Sequence, residues 1–188
     1  MTLTFVTSNR HKFGEAERIA AKHGVELEHR DVPYIEIQAD ELEEIARPSA
    51  QQASALLRAP CFVEDAGLFI HALKGFPGPY SSYVFQTLGN EGILELMKGK
   101  KVRRAEFRSA VAYCEPGSRP IVFSGGARGT IAPEIRGEGG FGFDPIFVPQ
   151  EGDGMTFAEI SIDEKNKFSH RSRAIERFVK WYVEDKKV

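Results

Sequence analysis

Two carboxylates, Glu64 and Asp65, stand side by side where the apolar run Cys61–Glu64 ends at Ala66-Gly67-Leu68. In a strand, successive side chains face opposite sides, so one carboxylate can meet a metal or a water while the other supports it. Oxygen ligands of this kind suit a hard cation such as Mg²⁺ beside substrate phosphates. A solvated pair at a strand end is the plainer alternative. Glu36, in the polar loop after Pro33, is a further candidate ligand by residue type. In Thr7-Ser8-Asn9-Arg10-His11-Lys12, hydroxyls, an amide and cations collect where a strand hands over to a helix, which suits an anion such as phosphate at free helix N–H groups. Ser8 or Asn9 serves equally as the helix cap. Neither a P-loop nor a dinucleotide-binding glycine pattern follows this strand, so any phosphate grip here is of another design.

Two later segments carry chemistry of other kinds. Gly137-Glu138-Gly139-Gly140-Phe141-Gly142-Phe143-Asp144-Pro145 combines glycines, which let backbone approach a ligand, with two phenylalanines, one of which could stack on a planar base. A tight turn anchored by buried rings explains it as well. Glu164-Lys165-Asn166-Lys167-Phe168-Ser169-His170-Arg171 gathers Lys165, His170 and Arg171 within seven residues, more donors than a core or an ordinary surface helix requires. A basic helix start is the competing reading.

These segments sit at junctions between elements. Leu3 to Thr7 reads as a short buried strand, and Phe13, Ala16, Ile19 and Ala20 fall at helical spacing until Gly24. A second helix is expected over about Ala39 to Leu57, with Asp40, Glu41, Glu43 and Glu44 in its first turns, where acidic groups complement the dipole. Cys61 to Glu64 reads as a brief strand, followed by the Gly and Pro of residues 75–79 and a helical stretch near Ile93 to Met97. Ala105–Cys114 and Pro120–Ile131 read as paired antiparallel strands about the turn Glu115-Pro116-Gly117-Ser118. Ala174, Ile175, Phe178, Val179 and Tyr182 share one face of a final helix. Strand and helix units followed by a hairpin predict an α/β protein with a mixed sheet and two lobes about a cleft, and ligands in such proteins bind at strand ends.

Composition sets the class. Twenty-five Lys plus Arg against 27 Asp plus Glu give a net charge of -2 over 188 residues, with 41% hydrophobic and 11% aromatic residues. That balance argues against a nucleic-acid-binding arm and against extended disorder. A chain of this length buries roughly 70% of its unfolded surface, enough for one domain spanning residues 1–188 without metal or disulfide staples. Cys61 and Cys114 lie in separate apolar runs and read as reduced core thiols, and no stretch reaches the length of a membrane span. A cytoplasmic protein without membrane attachment is expected.

Taken together, Thr7-Ser8-Asn9-x-x-Lys12, Glu64-Asp65-x-Gly67-Leu68, Gly75-Phe76-Pro77-Gly78-Pro79-Tyr80-Ser81, Gly140-Phe141-Gly142-Phe143-Asp144-Pro145-Ile146-Phe147 and Glu164-Lys165-Asn166-x-x-Ser169-His170-Arg171 resemble the inosine triphosphate pyrophosphatase family, in order and spacing, from about residue 2 to residue 180. The resemblance implies hydrolysis of non-standard purine nucleoside triphosphates (ITP, dITP, XTP) to the monophosphate and pyrophosphate. It also implies an elongated α/β fold with a long mixed twisted sheet and flanking helices, Mg²⁺ as cofactor and a homodimer. Carried over by position, Thr7, Asn9 and Lys12 hold the triphosphate, with Ser8, Ala66 and Gly142 among the substrate contacts. Glu36 and Asp65 engage Mg²⁺, and Asp65 helps activate the attacking water. Phe141 covers the base, Phe143 and Asp144 shape its pocket, and Lys165, Ser169, His170 and Arg171 close over the purine and its phosphates. The chain departs from the pattern at Ser49, sixteen residues before Asp65, where many relatives carry a lysine and where Arg47 is the nearby cation. A pyrophosphatase for modified nucleotides and a non-catalytic nucleotide sensor are the alternatives.

Overall fold

Leu3 and Phe5 alternate with Thr2 and Thr4, and this period of two builds the first strand, β1 (Thr2–Val6), in the computed structural model, which describes residues 2–185. The polar residues Thr7, Ser8 and Asn9 lead from it into α1 (Arg10–Ala21), whose Ala16, Ile19 and Ala20 pack on Leu3 and Phe5. A strand that the sequence pattern does not mark, β2 (Glu26–Arg30), then runs parallel to β1. Its residues are mostly charged and only Leu27 is buried, as befits an edge strand. The next helix, α2 (Leu42–Leu57), starts three residues later than expected, because Glu41 is still extended at φ -111 and ψ 138.

The largest departure from the sequence reading is in β3 (Cys61–Ile70), ten residues long, which places Glu64 and Asp65 in mid-strand rather than at its end. Pairing with β5 (Arg104–Cys114) continues from Cys61 opposite Cys114 to Ile70 opposite Ala105, and this ladder carries the chain through polar Asp65 and flexible Gly67. Gly67 is required there: a Cβ would lie 2.2 Å from the Gly78 carbonyl oxygen in the short strand β4 (Pro77–Gly78). Two short helices follow, α3 (Ser81–Thr87), which the sequence pattern does not mark, and α4 (Gly89–Leu96), where a helical stretch near Ile93 to Met97 was expected. The hairpin forms as read, with β6 (Ile121–Ile131) antiparallel to β5 and the turn closed by Ser118 N–H donating to the Glu115 carbonyl. The chain finishes with β7 (Phe147–Pro149), α5 (Ile162–Lys165) and α6 (His170–Asp185).

Seven strands among the described residues form one mixed sheet in the order β2-β1-β3-β5-β6-β7, with β4 on β3. At the β1 end, one face packs Phe62, Val111 and Tyr113 against α1 and α6, and the other packs Val63, Ala110 and Ala112 against α2. Beyond Leu68 a separate cluster takes over, built from Ile70, Phe107, Ile131, Phe147 and Phe157. The strands β3 and β5 therefore run from one packed region into the other, and Glu64 and Asp65 lie at the passage between them.

Candidate functional site

At the junction of β1 and α1 the amide of Asn9 is the cap: its Oδ1 accepts from the N–H groups of His11 at 2.9 Å and Lys12 at 3.1 Å. Thr7 is buried and its Oγ1 accepts from Asn9 N–H at 3.1 Å, while Ser8 is exposed. Locking this turn aims Lys12 across the sheet. Its Nζ donates to the Glu64 carbonyl at 3.1 Å and lies 3.0 Å from Glu64 Oε2.

Glu64 is the first link of a chain of buried charges. Its side chain is 0% exposed, and its Oε1 accepts from Ser109 Oγ at 2.6 Å and from Arg171 Nε at 3.1 Å. Arg171 Nη1 pairs in turn with Glu15, Glu15 accepts from Lys165 Nζ at 2.7 Å, and Lys165 Nζ donates to Asp144 Oδ2 at 2.6 Å. Three cations, Lys12, Arg171 and Lys165, thus alternate with three carboxylates, Glu64, Glu15 and Asp144. Burial alone would push the Glu64 carboxyl up, but the positive charges of Arg171 and Lys12 overcome it and hold the group down at about 2. Glu15 is lowered in the same way by Arg171 and Lys165, and the Arg171 guanidinium is raised by Glu64 and Glu15 against its own burial. At the end of the chain burial pushes Asp144 up, against the pull of Lys165.

The next residue, Asp65, faces the other side of β3. There it lines a cleft of about 290 Å³ with Glu36, Gln38, Tyr80, Ser82 and Tyr83, and no lysine or arginine among the described residues lines that cleft. Burial pushes its carboxyl up to about 7, the attraction of Lys12 notwithstanding, with the negative charges of Glu64 and Glu36 adding to the rise. Burial and the same carboxylates raise the hydroxyl of Tyr34, which packs against the apolar cluster of Val63 and α2. A second, larger cleft of about 690 Å³ lies against Lys101, Arg103 and Arg104, and none of the candidate site residues lines it.

The glycine-rich loop brings Phe141 over the charge chain: its ring centre is 5.1 Å from Lys165 Nζ and 5.3 Å from the Arg171 guanidinium carbon, and Asp144 Oδ2 accepts from its N–H at 2.9 Å. The ring also stacks on His11 at 5.2 Å. Gly142 is half-buried, with its carbonyl accepting from Asn90 Nδ2, and Ala66 is half-buried on β3. Phe143 packs inward, edge-on to Phe85.

At the start of α6 Ser169 is fully buried and caps the helix, its Oγ accepting from Ser172 N–H at 3.1 Å. His170 lies flat on Phe107 at 4.6 Å, its Nδ1 is buried with no hydrogen-bond partner among the described residues, and burial holds it well below the ordinary histidine range.

The fold therefore brings Lys12, Phe141, Asp144, Lys165 and Arg171 together on one side of β3 and sets Asp65 with Glu36 on the other. Ser49 is buried and donates to the Ile45 carbonyl, and Arg47 Nη1 donates to the Pro120 carbonyl, so Arg47 is already engaged away from the motifs. Glu15 and Ser109 escape the sequence reading: the one resembles any charge on a solvated helix, the other any residue of a strand. The only available signal was Glu15 at the position three after Lys12, on the same helix face.

Comparison with known proteins places this arrangement in context. The profile of the Ham1 family matches residues 3–181. A dITP/XTP pyrophosphatase of Methanopyrus kandleri is 56% identical over 97% of this chain and 96% of its own, and one of Methanothermobacter marburgensis is 54% identical over the whole of both. Among solved structures, a HAM1 protein from Coxiella burnetii superposes with a TM-score of 0.86 at 28% identity, covering 98% of this chain and 99% of its own.

Proposed function

The chain belongs to the Ham1 family, and we infer that it is a hydrolase that converts non-standard purine nucleoside triphosphates, ITP, dITP and XTP, to the monophosphate and pyrophosphate. The observation that carries this reading is the pairing of a buried, aromatic-capped cluster of cations on one side of β3 with a carboxylate cleft on the other, joined through the adjacent residues Glu64 and Asp65. A nucleotide has the matching two ends, a planar base and a polyphosphate.

In this reading Asn9 and Thr7 fix the turn from which Lys12 meets phosphate, and Arg171, anchored by Glu64 and Glu15, faces the base beneath Phe141. Asp65 also helps activate the attacking water, its carboxylate accepting the proton. The donor set also suits a divalent cation: Asp65 and Glu36 supply hard oxygens in a cleft with no basic lining residue among the described residues, and ions of the Mg²⁺ type use one or two carboxylates together with substrate phosphates. Bound there, Mg²⁺ would neutralise charge on the departing pyrophosphate. Cleavage between the α and β phosphates asks for charge neutralisation and an in-line water, so no serine or cysteine nucleophile is required.

The same reading includes a single domain that works as a homodimer in the cytoplasm. Exposed Tyr80, Tyr83, Phe85 and Leu88 on and beside α3 supply an apolar patch for self-association, and no helix among the described residues is long and apolar enough to cross a membrane. Light scattering should give twice the mass of the chain.

The test is product analysis with Mg²⁺ across ITP, XTP, dITP, GTP and ATP. We expect IMP and pyrophosphate from ITP in a single step, with GTP and ATP poor substrates and activity abolished by chelation. Inorganic phosphate with IDP as first product overturns the reaction, and tight ITP binding without turnover turns the reading to a nucleotide sensor.

A further inference from the structure

We propose that His11 belongs to the base site as the group that a purine displaces from the face of Phe141. This rests on the reading of Phe141 as the surface on which the base stacks. Phe141 is approached by Lys165 and Arg171, both 2% exposed, with the ammonium 5.1 Å and the guanidinium carbon 5.3 Å from its ring centre. It is approached also by His11, an exposed residue of the first turn of α1, whose ring lies within 16° of parallel at a centroid distance of 5.2 Å. Aromatic rings in direct contact stand about 4.5–7 Å apart, so this spacing leaves no room for a third ring between them. A base arriving from solvent meets the imidazole first.

The imidazole is free to yield. The backbone N–H of His11 is held by Asn9 Oδ1, but no hydrogen bond holds its ring among the described residues. Rotation of one exposed side chain uncovers Phe141 without disturbing the cap or Lys12, the next residue along. The stack lost is of the same kind as the stack gained, so His11 keeps Phe141 covered while lowering the net affinity for every purine by a common factor.

Steady-state kinetics and NMR test this together. His11→Ala should lower KM for ITP about three- to ten-fold, the factor set by one aromatic contact, with kcat retained and with the same factor for XTP and ATP. In a Phe141→Ala background the same substitution should do nothing further. In the unmodified protein, the His11 ring protons, identified by their loss in His11→Ala, should move downfield on addition of IMP as they leave the shielding face of Phe141. A His11→Ala protein whose KM rises or stays unchanged, or ring protons unmoved at saturating IMP, overturns the proposal. If Phe141→Ala itself leaves KM unchanged, the reading of Phe141 fails and His11 falls with it; if Phe141→Ala raises KM while His11→Ala does not lower it, His11 alone is wrong.

Discussion

Glu64 and Asp65 are adjacent in sequence and shifted in opposite directions, one held down at about 2 and the other pushed up to about 7, because β3 turns them to opposite faces and only Glu64 finds Arg171 and Ser109. Their substitutions should therefore behave differently. Asp65→Asn should keep the fold and lose turnover by on the order of 10²-fold or more, read by circular dichroism beside a pyrophosphate assay; near wild-type turnover removes Asp65 from catalysis. Arg171 presents a different test. Nη1 and Nε are spent on Glu15 and Glu64, and Nη2 has no protein partner among the described residues, so it is the donor left for a ligand. If it reads the 6-oxo group shared by hypoxanthine and xanthine, Arg171→Ala should reduce kcat/KM for ITP much more than for ATP and narrow their ratio; equal losses would make it a phosphate contact. Residue types alone singled out Lys12, Asp65 and Arg171 as candidates at the level of sequence. Glu15 did not stand out, since what distinguishes it is a partner 150 residues further along, Lys165.

At the scale of elements, the site depends on how closely α6 can approach the sheet. A Cβ on Gly125 of β6 would stand 2.3 Å from the His170 carbonyl oxygen and 2.5 Å from Ala174 N, both backbone atoms of α6 that cannot swing aside. Gly125→Ala should then push the start of α6 off β6, carrying Ser169, His170 and Arg171 with it. We expect a melting temperature lower by several degrees together with a raised KM for ITP, whereas an unchanged KM would show that the helix start is not positioned by this contact. Elements with a clear period were legible: β1, α1, the hairpin of β5 and β6, and the apolar face of α6 all lie within one or a few residues of expectation. The misreadings have a shared cause. The strand β2 hides because charges occupy an edge, and β3 outruns its apolar stretch because pairing with β5 on one side and close contact with β4 on the other sustain a strand through Asp65 and Gly67. Neither depends on local pattern.

For the molecule as a whole, the buried charge chain ties α1, β3, the glycine-rich loop and the last two helices into one unit, and Glu15 is its centre. Its carboxylate takes Lys165 Nζ on one oxygen and Arg171 on the other, with Asp144, Glu64 and Lys12 next along. Burial opposes its charge, but the two cations win and hold its carboxyl below the ordinary value of 4.5. A group whose folded value is depressed contributes stability that is fully present above the unfolded value and is lost as pH falls through the folded one. Glu15→Gln keeps the volume and removes the charge, leaving two buried cations short of a partner, a loss of about 3–5 kcal/mol at neutral pH. For a chain of this length that corresponds to a melting temperature lower by about 10 °C. Below pH 4.5 the native protein should lose this contribution while the variant has none to lose, so the two melting curves should converge as the pH is lowered toward 3. The upward shift of Asp144 and the downward shift of His170 act in both proteins and cancel in the comparison to the extent that they do not depend on Glu15. Melts at pH 7, 5, 4 and 3 decide the matter: a gap that stays constant over this range would mean that Glu15 contributes by packing, and that the chain of charges is not what joins these elements.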